Sequence, residues 1–186
     1  QHLNDHWDLD HAFERLLVET RVAPDPDAVE WINPNLQIGE VRKVITGIPG
    51  KTGVVYTLDR ATGEFLWATP TVEQDVIQDI DGATGAVTEN PEVIFSKSEQ
   101  IVFVCPTWYG GKDWEAGAYS PLTNTMYYPL RNTCANMLAT ADFESDTAQT
   151  LTAGGEGGLV NYSLAARHLI TPGTENLGTV RAISAE

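Results

Sequence analysis

Three stretches of the chain open in the same way. The β-branched run Gly53–Leu58 ends in Asp59-Arg60-Ala61-Thr62-Gly63 and resumes as Glu64-Phe65-Leu66-Trp67, a strand, a turn and a strand. Ala118-Tyr119-Ser120-Pro121, then Leu122-Thr123-Asn124, then Thr125-Met126-Tyr127-Tyr128-Pro129 repeat the pattern. A third copy starts at Gly178-Thr179-Val180-Arg181-Ala182-Ile183 and the chain ends before its turn. Lys43–Gly47 and Gln100–Val104 are further β runs, and 16 glycines and 10 prolines divide the 186 residues into short pieces. All of this predicts a mainly β chain.

The starts lie about 60 residues apart, a period that suits one four-stranded blade of a repeat fold. The expected fold class is therefore all-β, a segment of a β-propeller holding about two blades and parts of their neighbours. A strand without its hairpin partner leaves backbone donors and acceptors unpaired. An uncovered blade face of a few hundred Å² costs several kcal/mol at about 25 cal/mol per Å². Both arguments call for a companion chain carrying the remaining blades. The first residue, Gln1, is not Met, which fits a processed or excised product.

Against the β reading, Leu9, Ala12, Phe13, Leu16 and Leu17 fall at helical spacing behind Asp8 and Asp10. Ala23–Gln37, with three prolines, reads as a loop.

Charge narrows the partners. Lys and Arg total 11 against 26 Asp and Glu, a net charge of −15. Nucleic acid and anionic membrane are thereby disfavoured, and a cation is favoured. With 42% hydrophobic residues the chain can build a core. It contains no apolar run long enough for a membrane span and no signal peptide.

Candidate chemistry is sparse. Gly50-Lys51-Thr52 lacks the glycine a phosphate loop needs at position 45, which is Ile45; alone it reads as a turn with a solvated lysine. Asp79 and Asp81 miss the closing glutamate of a calcium loop. His2, His6 and His11 stand among Asn4, Asp5, Asp8 and Asp10, hard oxygen donors that favour calcium-like cations over zinc. Trp7-Asp8-Leu9-Asp10 places two carboxylates on one face if extended, poised for a cation, or else caps a helix or turn. Cys105 and Cys134 are two buried thiols or one disulfide. The run Cys105–Trp114 mixes aromatics with glycines, suited to stacking on a flat ligand or to ordinary loop packing. Asn161-Tyr162-Ser163 is a formal glycosylation sequon.

Three of these stretches together resemble the quinoprotein alcohol dehydrogenases, periplasmic enzymes that carry pyrroloquinoline quinone (PQQ) inside an eight-bladed propeller. They are Asn4-Asp5-His6-Trp7-Asp8, the run Lys51–Glu64, and Gly110-Gly111-Lys112-Asp113-Trp114 followed by Ala118-Tyr119-Ser120-Pro121. Asp59–Trp67 resembles the tryptophan-docking motif that ties blade to blade. The resemblance implies Asp8 as catalytic base and Lys51 as the basic residue on the quinone oxygens. It also implies Asp113 and Trp114 as cofactor-lining residues, with Asp113 where the family has Asn, and Asp8 with Asp10 as metal ligands. Asp10 matches the extra acid of lanthanide-using members, so the implied ion is a lanthanide or calcium. Cys105 and Cys134 match a family disulfide. The implied reaction is oxidation of a primary alcohol, sugar alcohols and carbohydrates included, to the aldehyde by hydride transfer to the quinone, with a cytochrome-type electron acceptor. The stretch after Asp10 leads into a strand in this family, which displaces the helix reading. The remaining metal ligands, a Glu and an Asn, the stacking Trp and the vicinal cysteines are implied to lie on the companion chain. The chain then divides into an active-site strand and loop (1–50), a blade with docking motif and cofactor loop (51–117), and a following blade with a truncated strand (118–186). The alternative is a propeller scaffold or binding module without cofactor.

Overall fold

A computed structural model describes residues 5–97, 99–139, 162–163 and 168–186. The sequon residue Asn161, together with His2 and Asn4, lies outside the described residues.

The first repeat forms as its composition demands. Strands β1 (Leu16–Arg21), β2 (Trp31–Ile32), β3 (Val41–Gly47), β4 (Val54–Asp59) and β5 (Phe65–Pro70) make a sheet of order β1-β3-β4-β5-β2. The β4–β5 turn is fixed by the Asp59 carboxylate, whose Oδ1 accepts from the amides of Ala61 (2.8 Å) and Thr62 (3.1 Å). Gly63 supplies the positive φ, +80°, that closes it. Beyond it lie the hairpin β6 (Ile77–Ile80) and β7 (Val87–Glu89) and the strand β8 (Ile101–Val104). Asp79 and Asp81, weighed above as a calcium loop, are spent locally: Asp79 accepts from the Trp31 indole (3.0 Å) and Asp81 from Thr84.

The second repeat gives β9 (Ala118–Ser120) and β10 (Thr125–Arg131), followed by β11 (Thr133–Ala139), β12 (Tyr162–Ser163), β13 (His168–Ile170) and β14 (Gly178–Ser184). β11 pairs with β8, β12 and β13. The third copy does not start a sheet of its own. β14 pairs antiparallel with β10 from Thr125↔Ser184 to Arg131↔Gly178, so its missing partner is found within this chain. Among the described residues the order β14-β10-β9 leaves β14 at an edge.

The two repeats pack face to face. Val44, Val55, Leu66 and Trp67 of the first sheet share one buried cluster with Met126, Tyr128 and Leu130 of β10. Trp67, 1% exposed, is the largest side chain in it. Its burial removes apolar area from both sheets at about 25 cal/mol per Å².

No helix follows Asp8. The residues at helical spacing go to different surroundings: Leu9 is buried with Val76, Val93 and Val104, the Phe13 amide donates to Pro49 O (3.1 Å), and Leu17 is exposed. A helix would put them on one stripe; the packing needs them on several. The stretch read as a loop, Ala23–Gln37, carries the short strand β2, whose Trp31 and Ile32 pair with Ala68 and Trp67.

Candidate active site

Trp7 and Leu9 are both fully buried, and the Trp7 indole donates to Val93 O at 2.9 Å. The Asp5 carboxylate accepts from the amides of Trp7 and Leu9, both at 3.0 Å, and so closes a turn around Asp8. Asp8 takes φ +62°, the left-handed region that costs a side-chain-bearing residue about 1 to 2 kcal/mol. Anchored on either side, Asp8 and Asp10 are turned outward, their side chains 61% and 58% exposed.

Lys51 enters this turn from the loop after β3. Its amide donates to Asp10 O (2.9 Å), and a Cβ on Gly50 would stand 2.7 Å from that same oxygen, so glycine is required for the approach. The Lys51 ammonium donates to Asp8 O (2.8 Å) and Asp8 Oδ2 (3.0 Å) and lies 3.2 Å from Asp10 Oδ2. Lys51 is not the solvated turn lysine its neighbours suggest, being only 8% exposed. Burial works against its charge, but the bonds and charges of Asp8 and then Asp10 hold its pKa above the usual lysine value.

The aromatic and glycine-rich loop docks on the same spot. Cys105 and Cys134 are joined as a disulfide, and Thr107 N donates to Thr133 O at 3.0 Å. Gly111 N donates to Lys51 O and Arg131 N to Gly111 O, both at 2.7 Å, which fixes the loop between Lys51 and β10. Asp113 Oδ2 accepts from Arg131 Nη1 (3.1 Å), while its Oδ1 is buried without a partner among the described residues. Arg131 also pairs with Glu115. Trp114, 78% exposed, stands edge-on to Phe13 with ring centres 5.5 Å apart.

Asp8, Asp10 and Lys51 are thus brought into contact, and Asp113 and Trp114 follow directly on the loop bonded to Lys51. His6 lies elsewhere: its Nδ1 accepts from Phe95 N (3.1 Å), and burial depresses its pKa against the pull of Asp5 and Glu89. Among the described residues no group of three or more His, Cys, Asp and Glu gathers as a metal cluster. Asp8 and Asp10 are nonetheless suitable members of an oxygen shell for a hard cation, being paired, outward-facing carboxylates of which Lys51 engages one oxygen each. Sequence reasoning missed Glu14, Lys112 and Arg131, which fasten the loop, because their partners lie far along the chain.

No protein-family model matches the chain. The putative dehydrogenase XoxF of Paracoccus denitrificans is 30% identical over 140 residues, 70% of this chain and 21% of that protein. The lanthanide-dependent methanol dehydrogenase of Methylacidiphilum fumariolicum is 34% identical over 60% of this chain and 18% of its own length. The chain therefore spans about a fifth of the curated relatives it matches. Among solved structures, a europium-containing methanol dehydrogenase superposes with a TM-score of 0.67 at 25% identity, over 96% of this chain and 27% of its own. A quinohemoprotein alcohol dehydrogenase of Pseudomonas putida gives a TM-score of 0.60 at 27% identity, over 75% of this chain and 18% of its own. In sequence and in fold the chain is a homologue of one stretch of the propeller of the quinone-dependent alcohol dehydrogenases.

Proposed function

We propose that this chain supplies half of the active site of a PQQ- and metal-dependent alcohol dehydrogenase, the rest coming from the remaining blades. The observation that carries the reading is the convergence of Asp8 and Lys51, 43 positions apart, with Asp8 held in a strained turn. Strain of that kind persists where the surroundings over-determine it, and it gathers at functional sites.

In this reading Asp8 and Asp10 contribute to the shell of a lanthanide or calcium ion, and Lys51, Asp113 and Trp114 line the quinone. The quinone supplies the hydride acceptor and the cation the Lewis acidity. Asp8 accepts the hydroxyl proton of the alcohol through its carboxylate, which the Lys51 ammonium orients. Lys51, itself held charged by the two acids, stabilises negative charge developing beside it. A disulfide accords with an oxidising compartment such as the periplasm, and a cytochrome-type protein would take the electrons onward. Among the described residues no helix is long and apolar enough to cross a membrane.

The test is Asp8→Asn in the complete propeller. Turnover should fall by about two to four decades, the range of a general base, with the quinone absorbance retained. Unchanged turnover removes the assignment, and a wild-type propeller without quinone absorbance after reconstitution returns the chain to the scaffold alternative. Exchanging calcium for a lanthanide tests Asp10, whose added charge should favour the trivalent ion.

A further inference from the structure

Lys112 is a buried cation to which the proposed chemistry gives no task. The residue is 1% exposed and its side chain is sealed from solvent. Enclosing a charge costs several kcal/mol unless its surroundings compensate it. Here they do: the ammonium donates to Glu14 Oε2 (3.2 Å) and to Asp113 O (3.0 Å), and it stands 4.4 Å above the Phe13 ring. The Asp113 carbonyl belongs to the peptide that joins Asp113 to Trp114, and the Trp114 ring rests edge-on against that same Phe13. Glu14 closes the arrangement from the other side, its Oε1 accepting from Gly117 N at 2.9 Å. Burial would raise the Glu14 pKa, but the Gly117 amide and Lys112 outweigh it and hold the carboxyl below its usual value. One carboxylate on the segment that carries Asp8 thus grips the loop at both its ends.

We propose that Glu14 and Lys112 form a latch that holds Asp113 and Trp114 in place against the segment bearing Asp8. Lys112 is then a positioning residue, acting through the Asp113–Trp114 peptide and through Phe13. The latch deepens the functional reading above and rests on it for its purpose, since the two residues it holds are those assigned to the quinone. A methionine at 112 fills a similar volume but cannot donate to the Asp113 carbonyl. An alanine at Glu14, on a half-exposed side chain, removes the grip from the opposite side, and the doubly substituted form leaves no buried ammonium without its carboxylate.

The complete dehydrogenase is compared with its Lys112→Met, Glu14→Ala and doubly substituted forms by amide hydrogen exchange at Gly117 and by the dissociation constant of PQQ. Exchange should quicken and PQQ binding weaken by about tenfold in each single variant, and the double variant should be no worse than either, because both break one device. Independent structural effects would add instead, and additive losses overturn the latch. Gly117 exchange at the wild-type rate in both single variants also overturns it, as does quickened exchange with unchanged PQQ affinity. Should the wild type bind no PQQ while Gly117 exchange quickens in Lys112→Met, the latch stands and the proposed function falls.

Discussion

Asp75 offers a test in which the sign of the effect is fixed by burial. Its Oδ1 accepts from Cys105 N at 2.9 Å, and its own amide donates to Cys105 O at 3.0 Å, so it braces the strand end that carries the disulfide. Burial, reinforced by the Glu73 charge, outweighs these amides and raises its pKa to about 6. A carboxyl whose folded pKa lies above its unfolded value contributes stability that is complete below about pH 4 and lost as pH rises through about 6. At about 1.4 kcal/mol per pKa unit the shift sets an upper bound of about 3 kcal/mol, and screening by the water that still reaches the group leaves about 1 to 2 kcal/mol. Asp75→Asn keeps an oxygen for the Cys105 amide and removes the charge. In denaturant titrations the variant should be the more stable by about 1 to 2 kcal/mol at pH 7.5, with the difference gone near pH 4. A variant no more stable at pH 7.5, or an advantage that persists undiminished at pH 4, would refute the reasoning.

Replacing Cys105 and Cys134 together by serine opens a 29-residue span and should lower unfolding free energy by about 3 to 4 kcal/mol; chemical denaturation under non-reducing conditions measures it, and a loss below about 1 kcal/mol contradicts the chain-entropy account. Gly110→Ala forces a side chain into φ +75° and sets a Cβ against Lys112 O and 2.7 Å from Lys51 Cβ. Its melting midpoint should fall by the equivalent of about 1 to 3 kcal/mol, and an unshifted midpoint would show that the loop can retreat from Lys51 without loss.

The hairpins were legible because their signals are local. Alternating β-branched runs and an Asp–Gly turn specify β4 and β5 without reference to anything distant. The stretch after Asp8 shows the opposite case. Its apolar spacing fits a helix, yet Leu9 and Phe13 are claimed by different partners, Val76 and Val93 for one and the loop at Pro49 for the other. Periodicity records which residues are apolar, not which surfaces will receive them. The resemblance to a known family pointed to Asp8, Asp10 and Lys51, but the residues alone left Lys51 a surface turn. Only the approach of Asp10 O to its amide, through a glycine with no room for a methyl group, explains why it is buried.

Asp113 marks the limit most clearly. The resemblance matches it to a position where the family has Asn, but its partner is not legible in the sequence, because Arg131 lies 18 positions on, on β10. Composition, charge and the repeated strand–turn–strand pattern determined by themselves that the chain is β-rich, acidic and blade-like. The tertiary structure alone decided that β14 closes onto β10, that Glu14 and Lys112 fasten one loop to another, and that the Lys51 ammonium sits between two carboxylates. Turns and strand propensity act over a few residues, whereas ion pairing and burial depend on distance in space, which the order of residues along the chain does not contain.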